Sequence, residues 1–242
     1  MSTINIRKKK ISDPKVIVAL DYDNETDALT FVDKIDPFLC RLKVGKKMFT
    51  LFGPDFVRKL HKRNFSVFLD LKFHDIPSTC AESVKAAAEL GVWMVNVHSS
   101  GGERMMTKSR EILKPYGKNR PLLIGVTVLT SMEQNDLASI GLDITPKFQV
   151  MRLSKLAKNS GLDGVVCSAQ EAFIVKSNLG KQFKLITPAI RLKNTNLDDQ
   201  KRIKTPIEAV KSGSDYLVIG RPITKSKQPE KILAKINYEI TS

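Results

Sequence analysis

The chain has 242 residues, with 40 Lys and Arg against 25 Asp and Glu, so its formal net charge is +15 at pH 7. Apolar residues make up 42% of it, which is enough for a sizeable core and argues against intrinsic disorder. No apolar stretch approaches the roughly 20 residues that a membrane-spanning helix needs, and the N-terminus lacks the apolar segment of a signal peptide. We therefore expect a cytoplasmic protein with a single domain over residues 1–242, of which 1–14 form a flexible basic segment.

Neither the cysteines nor the excess positive charge indicates one particular function. Cys40, Cys80 and Cys167 are too few and too far apart for a disulfide framework or a metal knuckle, so we expect reduced thiols in the core. The charge is compatible with nucleic acid, an acidic membrane surface, an anionic metabolite, or solubility alone. The basic tract at residues 58–63 has no interleaved aromatic residues, which favours a solvated helix face over a nucleic-acid site.

Short β-rich runs alternate with longer amphipathic segments along the whole chain. The runs are near-continuously apolar, as expected for parallel strands covered on both faces, and they lie at residues 16–21, 40–44, 66–72, 93–98, 122–129, 164–168, 184–187 and 216–220. The predicted helices lie at residues 24–35, 53–63, 78–90, 102–113, 146–160, 170–177, 198–212 and 229–238. Asn24 is a candidate N-cap and Gly91 a candidate glycine just after a helix.

Eight alternating pairs of this kind predict an α/β fold of one domain, the (β/α)8 or TIM barrel, which typically has about 250 residues. An open, doubly wound sheet is the alternative. It fits less well because its glycine-rich dinucleotide fingerprint would follow the first strand, and residues 21–24 there are Asp-Tyr-Asp-Asn.

Charged residues stand at the ends of several predicted strands. The first strand ends at Asp21, the second carries Lys43, and the third ends with Asp70 and Lys72, with Asp75 in the loop that follows. Ionised groups in apolar strands are costly unless they are paired, and in a barrel the carboxyl ends of the strands carry the active site. Residues two apart share a face, so Asp70 and Lys72 are predicted to point together to the barrel mouth. A salt-bridged strand end without chemistry would explain the same spacing.

Phosphate-binding signals come later in the chain. Gly220 and Arg221 follow the eighth strand, where barrels commonly bind phosphate through backbone N–H groups, although a surface arginine is the simpler alternative. The loop at 187–200 is long and polar, which is typical of a lid. Thr130 and Ser131 follow the fifth strand and could donate neutral hydrogen bonds to a heterocycle or sugar, or form a simple turn.

Together these residues resemble the orotidine 5′-phosphate decarboxylase family, in its bacterial form. The resemblance runs almost the whole length of the chain, through segments 16–21, 42–45 and 218–221. Its most specific element is the D-x-K-x-x-D signature at residues 70–75. The resemblance implies a reaction without cofactor or metal, in which orotidine 5′-phosphate loses its C6 carboxylate as CO2 and gives UMP, the last step of de novo pyrimidine nucleotide synthesis.

The resemblance also implies roles for individual residues. Lys72 would protonate the C6 carbanion, and Asp70 would lie beside the departing carboxylate. Lys43 and Asp75 would complete the charge network. The further contacts that it implies are Asp21 and Lys43 to ribose hydroxyls, Thr130 and Ser131 to the pyrimidine, Gln200 to base and phosphate, and Arg191, Gly220 and Arg221 to phosphate. Because Asp75 and Thr79 act in the neighbouring subunit's site in this family, a homodimer is expected.

Two other functions compete with this interpretation. A magnesium-dependent sugar-phosphate decarboxylase or aldolase of the same superfamily shares the signature, but those relatives use an acidic metal ligand at the end of strand two. Lys43 would repel Mg²⁺ there, and a hard cation needs oxygen ligands. A basic nucleic-acid-binding protein is supported only by the charge of +15, so neither nucleic acid nor membrane is an expected partner.

Overall fold

The computed structural model describes residues 13–190 and 204–241. The expectations for Arg191 and Gln200 therefore lie outside the described residues, as do those for residues 1–12 and for most of the predicted lid. No helix in the described part of the chain is long and apolar enough to cross a membrane.

Eight parallel strands close into a barrel in which each strand pairs with its neighbours in chain order and β8 pairs with β1. The strands are β1 (Val16–Leu20), β2 (Arg41–Gly45), β3 (Val67–Phe73), β4 (Met94–His98), β5 (Leu122–Val126), β6 (Gly164–Val166), β7 (Lys184–Thr187) and β8 (Tyr216–Ile219). The predicted single-domain (β/α)8 barrel is confirmed. The fifth strand is shorter than predicted, since it ends at Val126 and not at residue 129.

Ten α-helices lie in the two described ranges. They are α1 (Glu25–Val32), α2 (Lys46–His61), α3 (Pro77–Glu89), α4 (Gly102–Glu111), α5 (Gln134–Ser139), α6 (Pro146–Asn159), α7 (Ala172–Leu179), α8 (Pro206–Lys211), α9 (Arg221–Thr224) and α10 (Pro229–Thr241). The short helices α5 and α9 were not predicted, because neither is long enough to show an amphipathic period.

The second helix begins earlier than the sequence indicates. The predicted helix starts at residue 53, and Gly53 and Pro54 are typical of a helix start. Instead they form a kink inside α2, where Gly53 adopts φ 61° and ψ −163°. Other end signals are confirmed: the Asn24 side chain accepts a hydrogen bond from the Asp27 N–H at 2.8 Å, and Gly91 follows α3 with φ 80°.

The lower half of the barrel interior is packed with side chains. Ile17, Phe68 and Ile124 are among the fully buried residues of this inner cluster. Below them, the Arg41 guanidinium lies 4.0 Å from the ring centre of Trp93 and 5.4 Å from that of Tyr216, close enough for cation–π attraction. This packing fills the barrel at the amino ends of the strands, so the polar site lies at the other end.

A larger core lies between the strands and the surrounding helices, where Leu20, Val44, Phe56 and other apolar residues are buried. The three cysteines are buried and free, in agreement with the prediction of core thiols.

Candidate active site

A cavity of about 440 Å³ opens at the carboxyl ends of the strands. Eight residues that the sequence singled out line it: Asp21, Lys43, Asp70, Lys72, Thr130, Ser131, Gly220 and Arg221. Apolar side chains, including Phe68, Val126 and Ile186, complete the wall. Barrel closure therefore brings together residues that are up to 200 positions apart in the chain.

The charged part of the cavity is an ion triad of Lys43, Asp70 and Lys72. Asp70 Oδ2 lies 3.1 Å from Lys43 Nζ, and Asp70 Oδ1 lies 2.6 Å from Lys72 Nζ. Burial of Asp70, which is 8% exposed, opposes its ionisation. Attraction to the two ammonium groups, together with side-chain hydrogen bonds, outweighs that cost and lowers the pKa of Asp70. The carboxylate is therefore ionised at neutral pH.

An irregularity in the sheet places Lys72. Leu69 pairs with Val95 and Phe73 pairs with Val97, so three residues of β3 face the single residue Asn96 of β4. Within this bulge Lys72 has φ 53°, in the left-handed region that residues other than glycine rarely adopt. Such backbone persists only where surrounding contacts hold it, and it clusters at functional sites.

Asn96 supplies such contacts, and the sequence analysis did not single it out. Its side chain is fully buried. Its Oδ1 accepts a hydrogen bond from the Lys72 backbone N–H at 2.8 Å, and its Nδ2 donates to Asp70 Oδ1 at 2.8 Å. The signal was present in the sequence as an amide within the apolar strand β4, since buried polar groups must be hydrogen-bonded.

Gly45 is a second position that the sequence analysis did not assign. It pairs with Asp70 in the register of β2 and β3, and it follows Lys43 by two residues on the same face of β2. A Cβ atom at Gly45 would lie 3.1 Å from Lys43 Nζ. The absence of a side chain at Gly45 therefore leaves room for the Lys43 ammonium beside the carboxylate.

The rest of the cavity wall comes from segments that follow strands farther round the barrel. The hydroxyl residues Thr130 and Ser131 come from the loop after β5, and the apolar residues Pro188, Ala189 and Ile190 come from the segment after β7. Gly220 and Arg221 lie at the junction of β8 and α9. The order of the strands thus separates the ion triad on β2 and β3 from neutral polar groups and from an arginine.

Asp75 and Thr79 do not line this cavity. Both are exposed on the loop and first turn after β3. The Asp75 Oδ1 atom accepts a hydrogen bond from the Ile76 N–H at 2.6 Å, and Ile76 is itself 64% exposed. Within one chain these residues therefore lie outside the cavity, on a surface that carries the exposed apolar side chain of Ile76.

A pair of histidines lies beside the triad. The rings of His74 and His98 have centroids 5.4 Å apart. Burial, with repulsion from His74, Lys46 and Lys72, lowers the pKa of His98 to about 4, so its imidazole is neutral at pH 7. Among the described residues there is no group of three or more His, Cys, Asp or Glu side chains placed to hold a metal ion.

Fixed charges at the carboxyl ends of the strands of a (β/α)8 barrel are the arrangement of a TIM-barrel enzyme. Residues 14–236 match the Orotidine 5′-phosphate decarboxylase / HUMPS family. An orotidine 5′-phosphate decarboxylase of Vibrio campbellii is 72% identical over 95% of this chain and 99% of its own length. One of Aliivibrio fischeri is 71% identical over 96% and 99%.

A comparison with solved structures indicates the same family. A crystal structure of orotidine 5′-phosphate decarboxylase from Lactobacillus acidophilus has a TM-score of 0.85 to this chain at 36% identity, and it covers 95% of this chain and 100% of its own. The chain belongs to the orotidine 5′-phosphate decarboxylase / HUMPS family, and it is an enzyme of the carboxy-lyase class.

Proposed function

We propose that this enzyme decarboxylates orotidine 5′-phosphate to UMP and CO2 in pyrimidine biosynthesis, with Lys72 as the proton donor and without a cofactor. The observation that carries the mechanism is the ion triad, in which two ammonium groups contact one carboxylate at 3.1 and 2.6 Å inside the cavity. The names of the relatives at 71–72% identity support the substrate.

The chemistry requires fixed positive charge at one carbon. When the bond between C6 and the carboxylate breaks, CO2 leaves and the electron pair stays on an sp² carbon without an adjacent acceptor. Preorganised charge in a site that excludes water lowers the energy of such an anion most effectively. The Lys72 ammonium supplies that charge, and it then transfers a proton from Nζ to C6, after which the neutral amine regains a proton from solvent.

Asp70 has two effects in this mechanism. Its negative charge attracts the ammonium groups of Lys43 and Lys72 and holds both in place at 3.1 and 2.6 Å. The substrate carboxylate would also bind beside it, and repulsion between the two anions would be relieved when CO2 leaves. Lys43 limits that repulsion, because its ammonium contacts the second oxygen of Asp70.

The rest of the substrate would be bound by the remaining groups of the cavity and by Arg191 and Gln200, which lie outside the described residues. Arg221 and the backbone at Gly220 would bind the phosphate, with Arg191 as a further partner, because a guanidinium matches phosphate oxygens well. The other assignments are Asp21 and Lys43 to the ribose hydroxyls, Thr130 and Ser131 to the pyrimidine, and Gln200 to base and phosphate. Binding energy from the phosphate can then be used to order the site around the reacting carbon.

The active enzyme in this proposal is a homodimer with shared sites. Asp75 and Thr79 lie on an exposed surface of their own chain together with Ile76, which supports a role in the cavity of a second copy. A cytoplasmic location agrees with three cysteines that remain free, since disulfides form chiefly in oxidising compartments.

The direct test measures the loss of ultraviolet absorbance when the purified protein meets orotidine 5′-phosphate in the presence of EDTA. We expect full turnover, whereas a magnesium-dependent relative would lose activity. Lys72→Ala should lower kcat by at least about 1,000-fold, because it removes both the proton donor and the fixed charge. Lys114→Ala is the matched control, since that side chain is 71% exposed. Substantial activity of Lys72→Ala would refute its proposed role.

The shared site has its own test. Asp75→Asn and Lys72→Ala chains, each inactive alone, should regain activity when they are mixed, because one of the two sites in a heterodimer then has both intact residues. The heterodimer should be isolated with two different affinity tags. If confirmed heterodimers stay inactive, Asp75 does not act across an interface.

A further inference from the structure

We propose that Asn96 is a positioning residue for the decarboxylation, one that holds the Asp70 carboxylate and the Lys72 backbone in a single arrangement. The inference rests on the roles of Asp70 and Lys72 proposed above and adds a residue to them. Asn96 does not line the cavity, so it acts through its two partners and not on the substrate.

The first argument is the register of the sheet. Asn96 alone faces the three-residue bulge of β3, and a bulge leaves backbone groups without their regular ladder partners. The Lys72 N–H would be one such group. The Asn96 Oδ1 atom accepts it at 2.8 Å, so the side chain takes the place of the missing backbone carbonyl.

The second argument is the backbone of Lys72. Its φ of 53° is unfavourable for a residue with a side chain, and nearby contacts must maintain it. The hydrogen bond that Asn96 Oδ1 accepts acts at that residue, because its donor is the Lys72 N–H next to the φ bond itself. Without it, Lys72 is free to relax toward an extended conformation, which would move Nζ away from the reacting carbon.

The third argument is the use of the other half of the amide. The Asn96 Nδ2 atom donates to Asp70 Oδ1 at 2.8 Å, and the same oxygen contacts Lys72 Nζ at 2.6 Å. The planar amide therefore connects the backbone of the lysine to the carboxylate that receives its ammonium group. A residue without both a donor and an acceptor cannot make this pair of contacts.

The test compares Asn96→Ala with Asn237→Ala. Asn237 lies on the outer helix α10, away from the cavity, and is a matched control because it is also buried. Its side-chain amide donates hydrogen bonds at 2.9 Å to the carbonyls of Leu39 and Leu233. Both variants should lose thermal stability. Only Asn96→Ala should lower kcat, by about 100-fold with KM nearly unchanged, because a small displacement of a reacting group costs this much.

Three results would overturn the inference: a kcat of Asn96→Ala equal to that of the control, a change confined to KM, or full activity of Asn96→Leu. Asn96→Leu has nearly the shape of asparagine but neither a donor nor an acceptor, and it serves if Asn96→Ala does not fold. We expect it to lower kcat, whereas the Asn237→Ala control should keep its kcat. Lys72→Ala measured in parallel separates the two proposals. An active Lys72→Ala refutes the mechanism, whereas an inactive Lys72→Ala beside a fully active Asn96→Ala refutes the inference about Asn96 alone.

Discussion

Replacing Asp70 with asparagine would remove the carboxylate that lies between two ammonium groups while leaving the shape of the side chain nearly unchanged. At an effective dielectric constant of about 20, one pair of unit charges at about 3 Å attracts by roughly 5 kcal/mol. The desolvation of the three groups offsets part of this attraction. Breaking a buried ion pair by removing one partner costs about 3–5 kcal/mol.

We expect the lower end of that range for Asp70→Asn, because the Lys72 side chain retains 26% exposure to solvent. A loss of about 3 kcal/mol in the free energy of unfolding corresponds to a fall in Tm of about 6–12 °C for a chain of this size. Asp55→Asn is the control. Asp55 and its partner Arg58 are 77% and 57% exposed, and such pairs contribute less than about 1 kcal/mol.

The pH dependence gives a sharper test, because its sign is determined. The folded-state pKa of Asp70 is lowered, so its contribution to stability is fully present above the ordinary carboxyl pKa of about 4 and is lost as the pH falls below it. The stability difference between wild type and Asp70→Asn should therefore be largest near pH 7 and should shrink in acid. Urea denaturation across this range measures it. A difference that is absent at pH 7, or that stays constant into acid, would refute the electrostatic reasoning.

Two further predictions concern the two ends of the barrel. Arg221→Ala should raise KM for orotidine 5′-phosphate by about 10–100-fold, because it removes a charge-assisted contact to phosphate. Inorganic phosphate should also inhibit this variant more weakly than it inhibits the wild type. An unchanged KM would show that Arg221 does not bind the phosphate. Arg41→Leu should lower the free energy of unfolding by about 2–4 kcal/mol, because it removes a buried guanidinium from its contacts with two aromatic rings and from its ion pair with Asp13. Its kcat should not change, since Arg41 lies at the amino end of β2, and a lowered kcat would show that the two ends are coupled.

Much of the architecture was predictable from local pattern. Continuous apolar runs indicated parallel strands covered on both faces, and their alternation with helices indicated the barrel. Charged residues at strand ends stood out because burial of unpaired charge is costly. These signals depend on neighbours in the chain, so the charged cavity residues on β2, on β3 and just after β8 could be selected before their distances were known.

Hydrophobic periodicity and the cost of burying charge were sufficient to predict the barrel and most of the charged side chains at its mouth. The way in which these charges are held could not be predicted in this manner. Alternation predicted that Asp70 and Lys72 share a face, but the bulge, the left-handed backbone of Lys72 and the two hydrogen bonds of the Asn96 side chain depend on the register between β3 and β4. Register is a relation between two strands, and it is set when the closed sheet packs its side chains, so no pattern within either strand specifies it.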